Sequence, residues 1–103
     1  MSLNDYGEMV HKNSVEHGFW DNYPTSDFNQ WVSMQLMLIN SELVEAMNVL
    51  RDGNSWDDFD EEIIDAIIRL FDLGTGLGVD LDKTFIKKMN KNKSRPFMHN
   101  KKF

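Results

Sequence analysis

The 103-residue chain contains no cysteine, which excludes disulfides and every thiolate metal site. Histidine is scarce, and His11, His17 and His99 lack the paired spacing of a zinc motif. Proline occurs only at positions 24 and 96, so the long stretch between them is free of that helix breaker. No apolar run approaches the roughly 20 residues that cross a membrane. The N-terminus begins polar and acidic, unlike a signal peptide. The expectation is a soluble, cytoplasmic protein with no membrane partner. Strand-like alternation, internal repeats and low-complexity stretches are also missing, which leaves an all-α domain spanning residues 1–103 with a basic tail at 96–103.

What is present is charge, unevenly spread. The net charge of -6 comes from 11 basic and 17 acidic residues. Eight of the 11 basic residues fall between Lys83 and Lys102, and 12 of the 17 acidic ones between Glu42 and Asp82. Such runs are commonly solvated surface. They also suit an acidic centre that binds a cation, faced by a cationic end that holds phosphates. The net acidity weighs against broad nucleic-acid binding.

Four helices follow from caps and periodicity. Leu3, Tyr6, Met9 and Val10 stand at helical spacing in a first helix over 3–17. Ser26 or Asp27 caps a second that runs to about Arg51, where Gly53 stops it. Ser55 caps a third that reaches about Leu77, and the acidic run 57–62 suits the positive end of its dipole. Gly78 closes that helix, Asp80 caps the fourth, and Pro96 follows its end. In the third helix Ile63, Ile64, Ala66, Ile67, Ile68, Leu70, Phe71 and Leu73 wrap most of the circumference. So small a domain cannot easily surround such a helix, so a homo-oligomer with this helix near the interface is expected.

The chemistry-bearing residues are two acidic clusters, Glu42-Leu-Val-Glu45 and Glu62-Ile-Ile-Asp65. Residues three apart share a helix face. Taking 100° per residue, Trp31, Gln35, Leu38, Glu42, Glu45 and Val49 form one stripe of the second helix. Asp58, Glu62, Asp65, Arg69 and Asp72 form one on the third. Antiparallel helices joined through Asp52-Gly53-Asn54-Ser55 can turn all four carboxylates into one space. Like charges gathered there repel unless a cation lies between them, and oxygen-only ligands suit Mg2+, with Mn2+ able to substitute.

At this point the residues resemble a family. Ser41-Glu42-Leu43-Val44-Glu45-Ala46-Met47 and Glu61-Glu62-Ile63-Ile64-Asp65-Ala66-Ile67-Ile68-Arg69-Leu70 are similar to the two metal helices of MazG-type all-α nucleoside triphosphate pyrophosphohydrolases. Dimeric dUTPases and dCTP pyrophosphatases are relatives of that family. Leu77-Gly78-Val79-Asp80-Leu81 resembles the family's next turn, and Lys88-Met89-x-x-Asn92-Lys93-x-Arg95-Pro96 its phosphate-binding stretch. The resemblance covers roughly residues 28–103. It implies a four-helix MazG-like bundle, homodimeric or homotetrameric, that hydrolyses an NTP or dNTP between the α- and β-phosphates to a monophosphate and pyrophosphate, in nucleotide-pool cleansing. By position, Glu42, Glu45, Glu62 and Asp65 would hold Mg2+ and carry catalysis, while Lys88, Asn92, Lys93 and Arg95 would hold phosphate oxygens. Trp31 could stack on a base, with Trp20 and Phe19 as rivals, and Arg69 could pair with acids or contact the nucleotide. The family varies at its base-facing aromatics, and Arg69 lies where some relatives carry an aromatic, so the base itself is left open.

Other motifs fail. Asp52-Gly-Asn-Ser-Trp-Asp places Trp56 and Asp57 where a calcium loop needs an oxygen ligand and glycine. Gly74-Thr-Gly76-Leu-Gly78 follows no strand and lacks dinucleotide spacing. A di-iron bundle wants Glu-x-x-His, which neither cluster offers. The rival reading is a non-catalytic helical interaction module that binds an acidic partner through its basic C-terminal end.

Overall fold

A computed structural model describes residues 1–23 and 27–95. The order is α1 (Leu3–Glu16), α2 (Phe28–Arg51), α3 (Trp56–Gly76) and α4 (Leu81–Lys93), with no strand among the described residues. No helix among them is long and apolar enough to cross a membrane. Pro24, Thr25, Ser26 and the tail from Pro96 onward, including His99, lie outside the described residues.

The helix starts are set by local chemistry. Asp27, Ser55 and Asp80 are extended N-caps whose side chains accept from the backbone N–H groups of Gln30, Asp58 and Lys83, satisfying donors that the first turn leaves unpaired. Ser2 and Asp5 form a reciprocal capping box on α1. Gly53 and Gly78 take φ of +76° and +83° where α2 and α3 stop, a conformation open to glycine at little cost.

The starts of α1 and α4 are joined. Asp82 accepts from the backbone N–H of Leu3 at 2.9 Å and of Asn4 at 3.2 Å. The Asn4 amide donates to Asp80 at 3.0 Å and accepts from the N–H of Leu81 at 2.8 Å. Each helix thus supplies caps for the other.

Helix α3 is the shared element, packing against α1 on one side and α2 on the other, while α4 rests on α1. The seam with α1 is built from small and polar groups. Gly7 and Ser14 are the buried residues of α1. A methyl group on Gly7 would overlap Thr75, and one on Gly76 would overlap Trp20. This differs from the apolar stripe expected for α1, whose Tyr6 and Met9 are exposed. At Gly7 the contact has no room for an aromatic or a thioether.

The seam with α2 holds Ile39, Ala46, Ala66 and Leu73, the buried hydrophobic residues of the described chain. No described side chain falls below 2% exposure. A core this thin leaves many large apolar groups in water. On α2, Leu36, Leu43, Met47 and Leu50 are exposed, and on α3 so are Ile64 and Leu70.

Candidate functional site

The two stripes face each other. Helices α2 and α3 are connected by a short turn at 52–55, and Arg69 Nε donates to Glu42 Oε1 at 2.9 Å. Pairing of residue 42 with residue 69, and its nearness to Asp65, fit only an antiparallel hairpin. Each of Glu42, Glu62 and Asp65 offers an oxygen, and the three oxygens lie within 4.8 Å of one another. Glu42 and Glu62 are half-buried and Asp65 is exposed.

Glu45 stands outside this three-oxygen focus, although its charge is felt there. The Glu62 carboxyl is pushed above the ordinary glutamate range, first by loss of water around it and then by repulsion from Glu45, Asp65 and Glu42. Residues three apart on a helix diverge by about 60°. Glu45, offset by that angle from Glu42, is exposed, whereas Glu62 and Asp65, offset equally, both reach the focus.

The donor set fits a small hard cation. Magnesium binds oxygens at about 2.1 Å, so ligands on opposite sides of one ion stand about 4.2 Å apart. Three oxygens on one octahedral ion include adjacent pairs about 3.0 Å apart, so the three carboxylate oxygens, within 4.8 Å of one another, would have to draw closer to share one. Arg69 supplies one positive charge against these acids, which leaves a local excess of negative charge.

Glu42 and Asp65, though not Glu62, line a groove of about 480 Å³. Glu42, Leu38 and Gln35 line it from α2, Asp65, Ile68, Arg69 and Asp72 from α3, and Val10, Asn13 and Ser14 from α1. Phe19 comes from the turn after α1 and is 71% exposed. A groove of this size suits one small ligand.

The far end is fixed by Asp72. Its Oδ1 accepts from the Trp20 indole N–H at 2.8 Å and lies 2.8 Å from His11 Nδ1. Its Oδ2 accepts from the Ser14 hydroxyl at 2.6 Å. One carboxylate thereby ties α1 and the following turn to α3. Neither Ser14 nor His11 is arranged as a nucleophile and base, since both point to the carboxylate instead of to each other. Asp72 belonged to the acidic stripe in the sequence; its partners, up to 61 residues away, left no local signal.

The aromatic candidates occupy a cluster of their own. Trp20 meets Trp31 at 4.9 Å between ring centroids and His11 at 4.7 Å, and Trp31 meets Tyr23 at 4.7 Å. Trp31 does not line the main groove, whereas Phe19 does. Arg69 lines it too, with its Nε engaged by Glu42. Lys88, Asn92 and Lys93 lie on α4 and are exposed, and Arg95 lies just beyond it. None of these four lines the groove, because α4 is carried by α1.

Comparison of the chain with protein-family models, curated proteins and solved structures finds no match.

Proposed function

We propose that the protein is a Mg2+-dependent nucleoside triphosphate pyrophosphohydrolase of the MazG type, which cleaves NTPs or dNTPs to a monophosphate and pyrophosphate and acts in the cytoplasm in nucleotide-pool cleansing. The observation that carries this reading is the three-oxygen focus of Glu42, Glu62 and Asp65, two of which line a nucleotide-sized groove. The motif resemblance at 41–47, 61–70 and 88–96 supports it from the sequence side.

Glu42, Glu62 and Asp65 would hold the ion. Bound there, it would acidify a coordinated water and neutralise charge growing on phosphate oxygens. Glu45, outside the focus but close enough to repel Glu62, suits the part of proton acceptor from the attacking water. Arg69 keeps Glu42 oriented through its Nε contact.

The phosphate-holding groups of α4 point to a second copy of the chain, because α4 of the same chain does not reach the groove. The exposed apolar faces support a homodimer or homotetramer. Leu36, Leu43, Met47 and Leu50, with Asn40, repeat at alternating steps of four and three residues along α2, the spacing of a helix-to-helix seam. That stripe is centred about 120° around α2 from Glu42, on the flank of the helix. In such an assembly Lys88, Asn92, Lys93 and Arg95 of one copy would hold phosphates over the acids of another.

The decisive measurement is magnesium-dependent pyrophosphate release from a panel of standard, oxidised and methylated nucleotides. Glu42→Ala and Asp65→Ala should each lower turnover by roughly 10²–10³-fold, the scale of losing one preorganised electrostatic group, with helicity kept. Full activity in either variant would reject the metal assignment. Inactivity of the native protein on every nucleotide would favour the interaction module that binds an acidic partner through α4.

A further inference from the structure

Two turns from the acids, the groove changes character. Gln35 precedes Glu42 by seven residues and Asp72 follows Asp65 by seven. On antiparallel helices both steps run the same way, about 10 Å along the axes. The far end is bounded by the amides of Asn13 and Gln35, the Asp72 carboxylate and the exposed ring of Phe19. Neither of these amide side chains has a hydrogen-bond partner among the described residues. Asp72, by contrast, is engaged by three groups, one of them the indole N–H of Trp20, the residue next to Phe19. The wall is anchored while the two amides face the groove uncommitted.

We propose that this end is a nucleobase subsite, in which Phe19 covers the flat face of one base and the Asn13 and Gln35 amides read its edge. The assignment rests on the nucleotide reading above and replaces Trp31 and Trp20 as base-contacting residues. An amide presents a donor and an acceptor side by side, which is what the edge of a base offers. An aromatic ring supplies stacking to any base, so discrimination falls to the amides. The offset of about 10 Å along the helices leaves room for one sugar between base and metal-bound phosphates, so the occupant is a mononucleotide. Trp20 and Trp31 serve the wall instead: their rings meet each other, and the Trp20 N–H is committed to Asp72.

The test uses the full chain in its native assembly, with the four standard NTPs and dNTPs. Phe19→Ala should raise KM for every nucleotide by at least about tenfold, the scale of one lost base–aromatic stack, with the loss in kcat/KM carried by KM. Asn13→Ala and Gln35→Ala should flatten the preference between bases. Phe19 and Asn13 are exposed, so these variants should fold, and circular dichroism checks it. A second readout needs no catalysis: nucleosides without phosphate, added without metal, should shift the side-chain amide resonances of Asn13 and Gln35. If the native protein hydrolyses nucleotides while all three variants keep its KM and base preference, the subsite is wrong and the hydrolase reading stands. If the protein is inactive yet nucleosides shift those resonances and Phe19→Ala abolishes the shift, the subsite stands and the hydrolase reading falls. No shift and no change in preference overturns the subsite.

Discussion

The two seams of α3 handle carboxylates in opposite ways. On the α1 side Asp72 is met by Ser14, His11 and Trp20. On the α2 side Glu42, Glu62 and Asp65 crowd together around a single guanidinium contact. A carboxylate whose lone pairs are filled by the protein's own donors holds structure together. Carboxylates that repel one another across 4.8 Å store a demand for positive charge that something from outside can meet. Two helical turns of one helix separate the two situations.

That contrast can be broken most forcefully at the acids themselves, where Glu42→Ala or Asp65→Ala should remove activity and leave the fold intact. Asp72→Ala should act first on stability. Removing the carboxylate strips three part-buried groups of their acceptor at once, and we expect a loss of about 2–4 kcal/mol in chemical denaturation. An unchanged midpoint would mean that water replaces the carboxylate without cost.

A smaller effect is expected at Gly76. Alanine there gains up to about 1 kcal/mol of helix propensity, but its methyl group meets the Trp20 ring and overpacking costs about 1–3 kcal/mol. The balance should be a net loss of up to about 2 kcal/mol, read as a lower melting temperature. A stabilised Gly76→Ala protein would show that α1 and α3 can move apart freely.

The smallest effect has the most informative sign. The folded-state pKa of Glu62 is raised, so the native state binds more protons than the unfolded chain between the ordinary glutamate value and the raised one. Stability from this group is therefore lost as pH rises through that window and regained in acid. Glu62→Gln should melt at a higher temperature than the native protein at neutral pH without metal, with the difference vanishing near pH 4. Added Mg2+ should raise the melting temperature of the native protein more than that of the variant. A destabilised Glu62→Gln at neutral pH would contradict the crowding.

Local chemistry was legible in the sequence and long-range geometry was not. The caps Asp27, Ser55 and Asp80 could be read because a cap acts within three residues. The two acidic stripes could be read because helical rotation is fixed at 100° per residue, and Gln35, Glu42, Asp65 and Asp72 do share one groove. From the sequence four acids are expected to converge, and the oxygens that gather are those of Glu42, Glu62 and Asp65. Gly76 enters the sequence reading within a failed dinucleotide motif, whereas it is where the Trp20 ring comes close. Pattern alone cannot see such an approach, because what the missing side chain makes room for comes from 56 residues away.

The clasp between the starts of α1 and α4 has a consequence of its own. It brings two helix N-termini, both positive poles, side by side, and Asp80 and Asp82 are what reconcile them. Hydrogen bonds from Asn4 and the Lys83 N–H hold the Asp80 carboxyl below its ordinary range, so its contribution is intact above that range and disappears as pH falls through the lowered value. Mild acid therefore relieves the crowded glutamate at one end of the molecule, and stronger acid later removes the share of Asp80 in the clasp at the other. A protein wired this way should firm at one end before it loosens at the other as protons are added.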